Sequence, residues 1–226
     1  MLPEDRFFQK YRSVLSKCSL FLGIDPLEQE RIIECLKGRR LNVPKGNAVF
    51  LEGDPALFVG VVLVGAVQVI REDYYGNRSV LGVLLPGELF AEAFACAGLE
   101  TLPVSAVAKK DSEVLLLDCR HVMTSCTNAC YFHNLLIKNL LQEIAQKNLV
   151  LAQKIRYMSE KTTKEKLMSY LLDQAKKQES QEFTIPYDRQ SLADYLGVER
   201  SAMSAEIGKL KKEGVIDTKG AWFLLK

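Results

Sequence analysis

The spacing of apolar residues changes along the chain and predicts a series of distinct structural regions. The first region, up to about Gly38, has a helical spacing. Asp25-Pro26 predicts the start of a helix, because aspartate and proline are both favoured in the first turn. The apolar members of that helix are Leu27, Ile32, Ile33 and Leu36.

Short apolar runs rich in valine and leucine follow, from Arg40 to Asp118. Two examples are VGVVLVGAVQVI (59–70) and SVLGVLL (79–85). They alternate with turn sequences, namely Pro44-Lys45-Gly46, Gly53-Asp54-Pro55, Tyr75-Gly76-Asn77 and Pro86-Gly87. Many short strands with regularly spaced turns predict an antiparallel sandwich or barrel, so we expect a compact all-β unit here.

From about Asn134 the apolar spacing alternates between steps of four and three residues. This a/d pattern predicts a long helix that ends near Met158. The narrowness of the seam favours a parallel homodimer over packing on the helix's own domain. The predicted seam residues are Ile137, Leu141, Ile144, Asn148, Leu151, Ile155 and Met158. Asn148 interrupts the seam, and a polar residue there fixes the register or reaches a ligand.

The polar sequence Ser159-Glu160-Lys161 is interpreted as a hinge after this long helix. Thr162 and Glu165 have the spacing of a capping box, which predicts that a new helix begins here. A strand is predicted at FTI (183–185), and a hairpin is predicted around Lys219-Gly220.

The sequence SLADYLGVERSAMSAEIGKLKKEGVI (191–216) predicts two short amphipathic helices separated by Gly197. Their inward residues are apolar: Leu192, Ala193, Leu196, Val198, Met203, Ile207 and Leu210. The outward residues of the second helix are small or form hydrogen bonds: Arg200, Ser201, Ser204, Ala205 and Gly208.

Small outward residues allow a helix to enter the major groove of DNA, where an arginine forms paired hydrogen bonds with guanine. We therefore predict a winged helix-turn-helix whose DNA-binding residues are Arg200, Ser201, Ser204, Ala205 and Arg189. The alternative is a helical hairpin with a solvated face. A preceding dimer helix favours DNA binding, because it brings two copies together for half-site recognition.

Composition narrows the range of functions. The chain has 226 residues, of which 48% are hydrophobic, and its net charge is +2. No apolar run approaches the roughly 18 to 20 residues of a membrane span, and the N-terminal sequence lacks a signal-peptide pattern. We expect a cytoplasmic protein that does not contact membranes. The charge balance is nearly even, so the DNA-binding hypothesis depends on the motif.

The residues that could act in catalysis do not form a recognisable enzyme motif. Neither a Ser/His/Asp arrangement nor a phosphate-binding loop is recognisable, so we predict no catalytic residues and no metal site, and the sequence identifies no particular cofactor. The six cysteines, which are scattered and expected to be mostly buried, are Cys18, Cys35, Cys96, Cys119, Cys126 and Cys130. An alternative is a redox or haem sensor that uses cysteines, including Cys126 with Cys130, or His121 and His133.

The order of a β-roll, a long dimer helix and a winged helix-turn-helix resembles the Crp–Fnr superfamily of bacterial transcription regulators. The resemblance covers nearly the whole chain. Besides the helix-turn-helix sequence, it rests on VPKGNAVFLEGD (43–54), LPGELFAEAFACAG (85–98) and LPVSAVAKKDSEVLLLD (102–118). It implies a small-molecule effector in the β-roll, binding to a palindromic double-stranded DNA operator, and RNA polymerase as a further partner.

The resemblance also implies which residues form the effector pocket: Glu88, Phe90, Glu92, Phe94, Leu102, Val104, Ser105 and Asn148. Members that bind cyclic nucleotides carry an Arg-Ser pair where this chain reads Leu102-Pro103-Val104-Ser105. No Arg or Lys occurs between Leu85 and Ala108, so we predict a partly apolar effector rather than cyclic AMP. Cys18 and Cys35 do not reproduce the cysteine cluster of iron–sulfur members, and Ala205 replaces the usual arginine.

The prediction is an α+β protein in three parts. Residues 1–133 form a jelly-roll-like antiparallel effector domain, residues 134–160 form the dimer helix and hinge, and residues 161–226 form the winged helix-turn-helix. A ligand-binding module without DNA output is the remaining alternative.

Overall fold

Two compact units make up the chain, Met1–Ala145 and Gln146–Lys226. The computed structural model describes residues 4–72, 74–75, 78–123 and 131–226. The predicted turn at Gly76-Asn77 and the pair Cys126 and Cys130 lie outside the described residues. The boundary between the units falls within the long helix, whereas the sequence pattern predicts boundaries after residues 133 and 160.

Helices come first in the N-terminal unit: α1 (Glu4–Leu15), a 3-10 turn (Ser19–Phe21) and α2 (Pro26–Cys35). As predicted, α2 begins after Asp25, whose carboxylate accepts a hydrogen bond from the Leu27 amide at 2.9 Å. Ile32 and Ile33 are buried on the inner side of α2, as the spacing predicts.

The strands of this unit are β1 (Arg39–Val43), β2 (Ala48–Phe50), β3 (Phe58–Val64), β4 (Val67–Glu72), β5 (Arg78–Leu84), β6 (Leu89–Phe90), β7 (Ser105–Ala108) and β8 (Ser112–Asp118). They form two four-stranded antiparallel sheets, in the orders β1-β8-β3-β6 and β2-β7-β4-β5. Strands that are adjacent in sequence are therefore often in different sheets, which is the jelly-roll-like arrangement that was expected. The predicted all-β unit is confirmed.

The central strand β3 is buried on both faces. Val62 belongs to the core that contains Phe50 and Val67 of the other sheet. Val61 and Leu63 point to the opposite face and belong to a second core, which α1, α2 and the long helix share. Burial on both faces explains why the sequence of β3 is continuously apolar instead of alternating.

Three more helices complete this unit: α3 (Glu92–Cys96), α4 (Cys119–Met123) and the first part of α5 (Tyr131–Ser159). Helix α5 begins three residues before the predicted start at Asn134. Its Leu136 and Leu140 are 0% and 2% exposed in the core of the unit. The Asn139 amide donates to the carbonyl oxygens of Leu20 and Leu22 at 3.1 and 2.8 Å. The first part of α5 is thus anchored on its own domain.

The C-terminal unit contains α6 (Thr163–Lys177), β9 (Glu182–Thr184), α7 (Arg189–Leu196), α8 (Arg200–Lys212), β10 (Ile216–Lys219) and β11 (Trp222–Leu225). The predicted capping box is confirmed, because Thr162 accepts from the Glu165 amide and Glu165 accepts from the Thr162 amide. The three strands form one antiparallel sheet in the order β10-β11-β9, and the hairpin turns at Lys219-Gly220 as predicted.

A substitution at Gly60 tests whether β3 is closely packed in the core. A Cβ atom at Gly60 would overlap the ring of Phe90, which is 3% exposed in the core between the sheets. We predict that Gly60→Ala lowers the free energy of unfolding by about 1–3 kcal/mol, because the core has no room for the added atom. Urea titration followed by circular dichroism measures this change.

The matched control is Gly82→Ala in β5, where no atom lies within 4 Å of the added Cβ. We expect the control to change the unfolding midpoint little. Equal destabilisation by the two substitutions would contradict the placement of β3 in a closely packed core.

Candidate DNA-binding surface and effector region

Helix α7 has a favourable capping residue at each end. The Asp188 carboxylate accepts a hydrogen bond from the Ser191 amide at 2.7 Å, and this bond lowers the pKa of Asp188. The helix ends at Gly197, whose φ of 63° lies in the left-handed region, as predicted. A Cβ atom at Gly197 would lie 2.9 Å from Cε of Met158, so both backbone and space favour glycine.

Helix α8 has a buried and an exposed side. Met203, Ile207 and Leu210 are buried among the apolar residues of α6 and α7. The exposed residues are those that the spacing places outward: Arg200, Ser201, Ser204, Ala205 and Gly208. No atom lies within 4 Å of a Cβ built on Gly208. The outer side of α8 is therefore a narrow, small and polar surface with one arginine at its N-terminal end.

Arg189 has a different environment from the exposed one expected of a DNA-contacting residue. Its Nη2 donates to the Thr218 hydroxyl at 2.9 Å, and its guanidinium lies 5.0 Å from the ring centroid of Phe223. Burial lowers the pKa of Arg189. Thr218 in turn donates to the Trp222 carbonyl at 2.8 Å. Arg189 thus ties α7 to the β10–β11 hairpin, because the aromatic ring and the hydroxyl hold its guanidinium.

The end of α5 belongs to the core of the C-terminal unit. Tyr157 is 1% exposed, and its hydroxyl donates to the Asp173 carboxylate of α6 at 2.7 Å. Asp173 also forms an ion pair with Arg156. Met158, predicted in the dimer seam, lies beside Gly197 of the helix-turn-helix. The last turn of α5 is therefore joined to both α6 and the turn after α7.

A cluster of four tyrosines surrounds this junction, namely Tyr157, Tyr170, Tyr187 and Tyr195. The rings of Tyr187 and Tyr195 are stacked with centroids 4.9 Å apart. Burial raises the pKa of Tyr157 and of Tyr170. This cluster is not predictable from the sequence, because its members come from different elements and no local spacing connects them.

The later seam residues of α5 are exposed on the isolated chain. Leu151 and Ile155 are 60% and 65% exposed, and Asn148 is exposed on the same helix. The earlier seam residue Leu141 is 66% exposed. Ile144, by contrast, packs partly against the core of the N-terminal unit. The seam is an apolar stripe that is uncovered over most of its length.

Residues expected to line the effector pocket lie in the core of the β domain. Phe90 and Leu102 are each 3% exposed, and the Phe90 ring lies 5.9 Å from the ring of Phe50. Phe94 packs partly against the same core, and Val104 is 8% exposed. These apolar side chains fill the space between the sheets. The physical reason is the large apolar area that each of them removes from water.

The polar members of the predicted pocket hold the backbone of the segment in place. The Glu88 carboxylate accepts from the Leu85 amide at 2.6 Å, and the Ser105 hydroxyl accepts from the Glu52 amide at 2.9 Å. Glu92 is 5% exposed at the start of α3. It follows Ala91, whose φ of 63° is unusual for a residue with a side chain.

A separate apolar cavity of about 520 Å³ lies between α3 and α5. Its lining residues are Ala93, Cys96, Ala97, Ile137, Leu140, Leu141 and Ile144. Three predicted seam residues, Ile137, Leu141 and Ile144, therefore face α3 of their own chain. The sequence spacing alone does not distinguish this contact from a contact with a second copy.

Two family models match the chain. The cyclic nucleotide-binding domain matches residues 40–126, and the Crp-like helix-turn-helix domain matches residues 165–226. Together they place a β-roll of this type before a helix-turn-helix of this type in one polypeptide. The chain belongs to the Crp–Fnr superfamily of transcription regulators.

Curated relatives align with nearly the whole chain. The transcriptional activator protein anr of Pseudomonas aeruginosa is 24% identical over 212 residues, which are 91% of this chain and 84% of the relative. The transcriptional activator protein FnrL of Cereibacter sphaeroides is 25% identical and covers 93% of this chain and 82% of its own length.

A solved structure shows the same fold. The c-di-GMP-responsive global regulator CLP of Xanthomonas campestris is 21% identical and covers 89% of this chain and 99% of its own. Its TM-score is 0.58. The expected fold class and the family resemblance are thus confirmed for this Crp–Fnr regulator.

Of the two histidines suggested for a sensor, His121 and His133, the second has a structural partner. His133 is 3% exposed, and its Nε2 lies 3.1 Å from the Val122 carbonyl oxygen. Among the described residues, no group of three or more His, Cys, Asp and Glu side chains is arranged to hold a metal ion. None of the helices in the described parts of the chain is long and apolar enough to span a bilayer.

Proposed function

We propose that this Crp–Fnr regulator acts as a homodimer that binds a two-fold symmetric DNA site under the control of a small effector. The observation that carries the DNA-binding part is the exposed side of α8. A solvated helical hairpin has no requirement for small residues there, whereas entry into the major groove does. Ser201, Ser204, Ala205 and Gly208 supply that small surface, and Arg200 supplies the charge.

Arg200 is the residue that we propose to recognise a base. It lies at the N-terminal end of α8, the part of a recognition helix that contacts base edges. A guanidinium forms two parallel hydrogen bonds with O6 and N7 of guanine, which no other base offers in the major groove. The hydroxyls of Ser201 and Ser204 are less selective, since each can both donate and accept.

We predict that Arg200→Ala weakens binding to the preferred operator by about 1–3 kcal/mol and relaxes the preference at one base pair of each half-site. The measurement is a fluorescence-anisotropy titration against the operator and its single-base variants. The control is Lys212→Ala in the last turn of the same helix, which removes one positive charge from another exposed position. An Arg200→Ala protein with unchanged base preference would contradict the assignment.

The dimer part of the proposal rests on the apolar stripe of α5. Leu151 and Ile155 expose most of their side chains to water, and a second α5 packed alongside would remove that surface. Their spacing fits a two-stranded coiled coil, and a parallel arrangement brings two copies of α8 to one side of the dimer, as half-site recognition requires. A second copy of this chain is therefore the partner that we propose.

We predict that Leu151→Asp combined with Ile155→Asp produces monomers, because two charged side chains in each copy would be buried at the seam. Sedimentation velocity measures the change of mass. The matched control is Leu149→Asp, which is 62% exposed on the same helix but lies off the seam. A double variant that remains dimeric, or a control that dissociates equally, would contradict the coiled-coil seam.

The effector part of the proposal concerns the chemical class of the ligand. A cyclic phosphate is negatively charged, and its removal from water requires a charge-assisted partner. The segment from Leu85 to Ala108 contains neither Arg nor Lys. Leu102 and Val104, in the stretch where cyclic-nucleotide-binding members carry the Arg-Ser pair, are 3% and 8% exposed in the apolar core. We therefore propose a small, partly apolar effector, and we propose that Asn148 contributes to its recognition.

We predict that cyclic AMP and cyclic GMP bind weakly or not at all, because no positive charge in this segment replaces the hydration of the phosphate. Isothermal titration calorimetry with each nucleotide measures this directly on the full-length protein. Micromolar affinity for either nucleotide would contradict the proposed class of effector.

A further inference from the structure

Two cysteines from distant parts of the sequence meet in the N-terminal unit. Cys96 is the last residue of α3, and Cys119 is the first residue of α4, directly after β8. Their sulfur atoms are 3.5 Å apart. A disulfide requires a separation of about 2.05 Å, so the two sulfurs need to approach by only about 1.5 Å.

The two thiols differ in their surroundings. Cys119 is 3% exposed, whereas Cys96 is half-buried and lines the cavity between α3 and α5. The hydrogen bond with Cys119 lowers the pKa of Cys96, and the same contact together with burial raises the pKa of Cys119. Cys96 is therefore the better placed of the two to react as a thiolate, since it is also the sulfur that small molecules reach more easily.

We propose that Cys96 and Cys119 are an oxidant-sensitive dithiol that peroxides convert to an intramolecular disulfide joining α3 to α4. This role goes beyond the proposed effector-gated DNA binding and does not depend on it. Both reacting groups belong to one chain, so the reaction needs no second copy.

Hydrogen peroxide is the oxidant in this reaction, and it accepts the two electrons that the thiols lose. The Cys96 thiolate attacks one peroxide oxygen, which forms a sulfur–oxygen bond, breaks the oxygen–oxygen bond and releases hydroxide, which becomes water on protonation. Cys119 then attacks the sulfur of the Cys96 sulfenic acid, which forms the disulfide, breaks the sulfur–oxygen bond and releases a second water. The two thiols lose two electrons, and one hydrogen peroxide is reduced to two waters.

The disulfide would alter the cavity between α3 and α5, because Cys96 lines it. Ala93, Cys96 and Ala97 of α3 form one wall of the apolar cavity, and Ile137, Leu141 and Ile144 of α5 form the other. Movement of Cys96 toward Cys119 therefore changes the wall that faces α5. The reduced and oxidised proteins present different surfaces beside the first part of the dimer seam.

Peptide mapping of the full-length protein tests the proposal, because trypsin separates the relevant cysteines. Cys96 falls in peptide 79–109 and Cys119 in peptide 111–120. Cys126 and Cys130 fall together in peptide 121–138, and Cys35 falls in peptide 32–37. The folded protein is treated with a small excess of hydrogen peroxide, blocked with an alkylating agent and digested without reductant.

We expect a cross-linked product of peptides 79–109 and 111–120 that a dithiol reductant removes. Cys96→Ser and Cys119→Ser should each abolish it, whereas Cys35→Ser, which removes an exposed thiol, should retain it. In the Cys119→Ser protein we expect Cys96 to accumulate as sulfenic acid that dimedone labels. A linkage to peptide 121–138, a linkage between two chains, or a pair that stays reduced in the folded protein would overturn the proposal.

Discussion

Burial of one central strand on both faces is the constraint on which the N-terminal unit depends. β3 has no solvated face, so it needs a second sheet on one side and a layer of helices on the other. Phe50 and Val67 of the other sheet satisfy the first requirement. Leu136 and Leu140 of α5 help to satisfy the second. The same strand thereby fixes the start of the helix that carries the proposed dimer seam.

The C-terminal unit depends on a comparable division of one helix between two environments. Met203 and Leu210 are buried in the core on one side of α8. Arg200 and its small neighbours therefore lie on the exposed side. Tyr157 and Asp173 fasten the end of α5 to α6 within this unit. The helix that carries the α5 stripe is therefore also part of the packing that holds α6 in place.

The features that the sequence predicts well are local. Gly197, the capping box of Thr162 and Glu165, and the outward side of α8 each depend on residues within a few positions of one another. The features that it misses depend on contacts between distant segments. The tyrosine cluster and the burial of Arg189 on Phe223 arise from such contacts. An apolar residue such as Leu102 fits a core and a ligand pocket equally well by type, and only packing distinguishes them.

Two copies of α8 are proposed to read one symmetric DNA site. Selection of bound sequences from a random DNA pool by the purified full-length protein tests it most directly. We expect an enriched inverted repeat whose half-sites are centred about one helical turn apart, or a multiple of it, with a conserved guanine in each half. Enrichment of a single unpaired half-site, or no enrichment of any sequence, would show that two copies of α8 do not read one symmetric site.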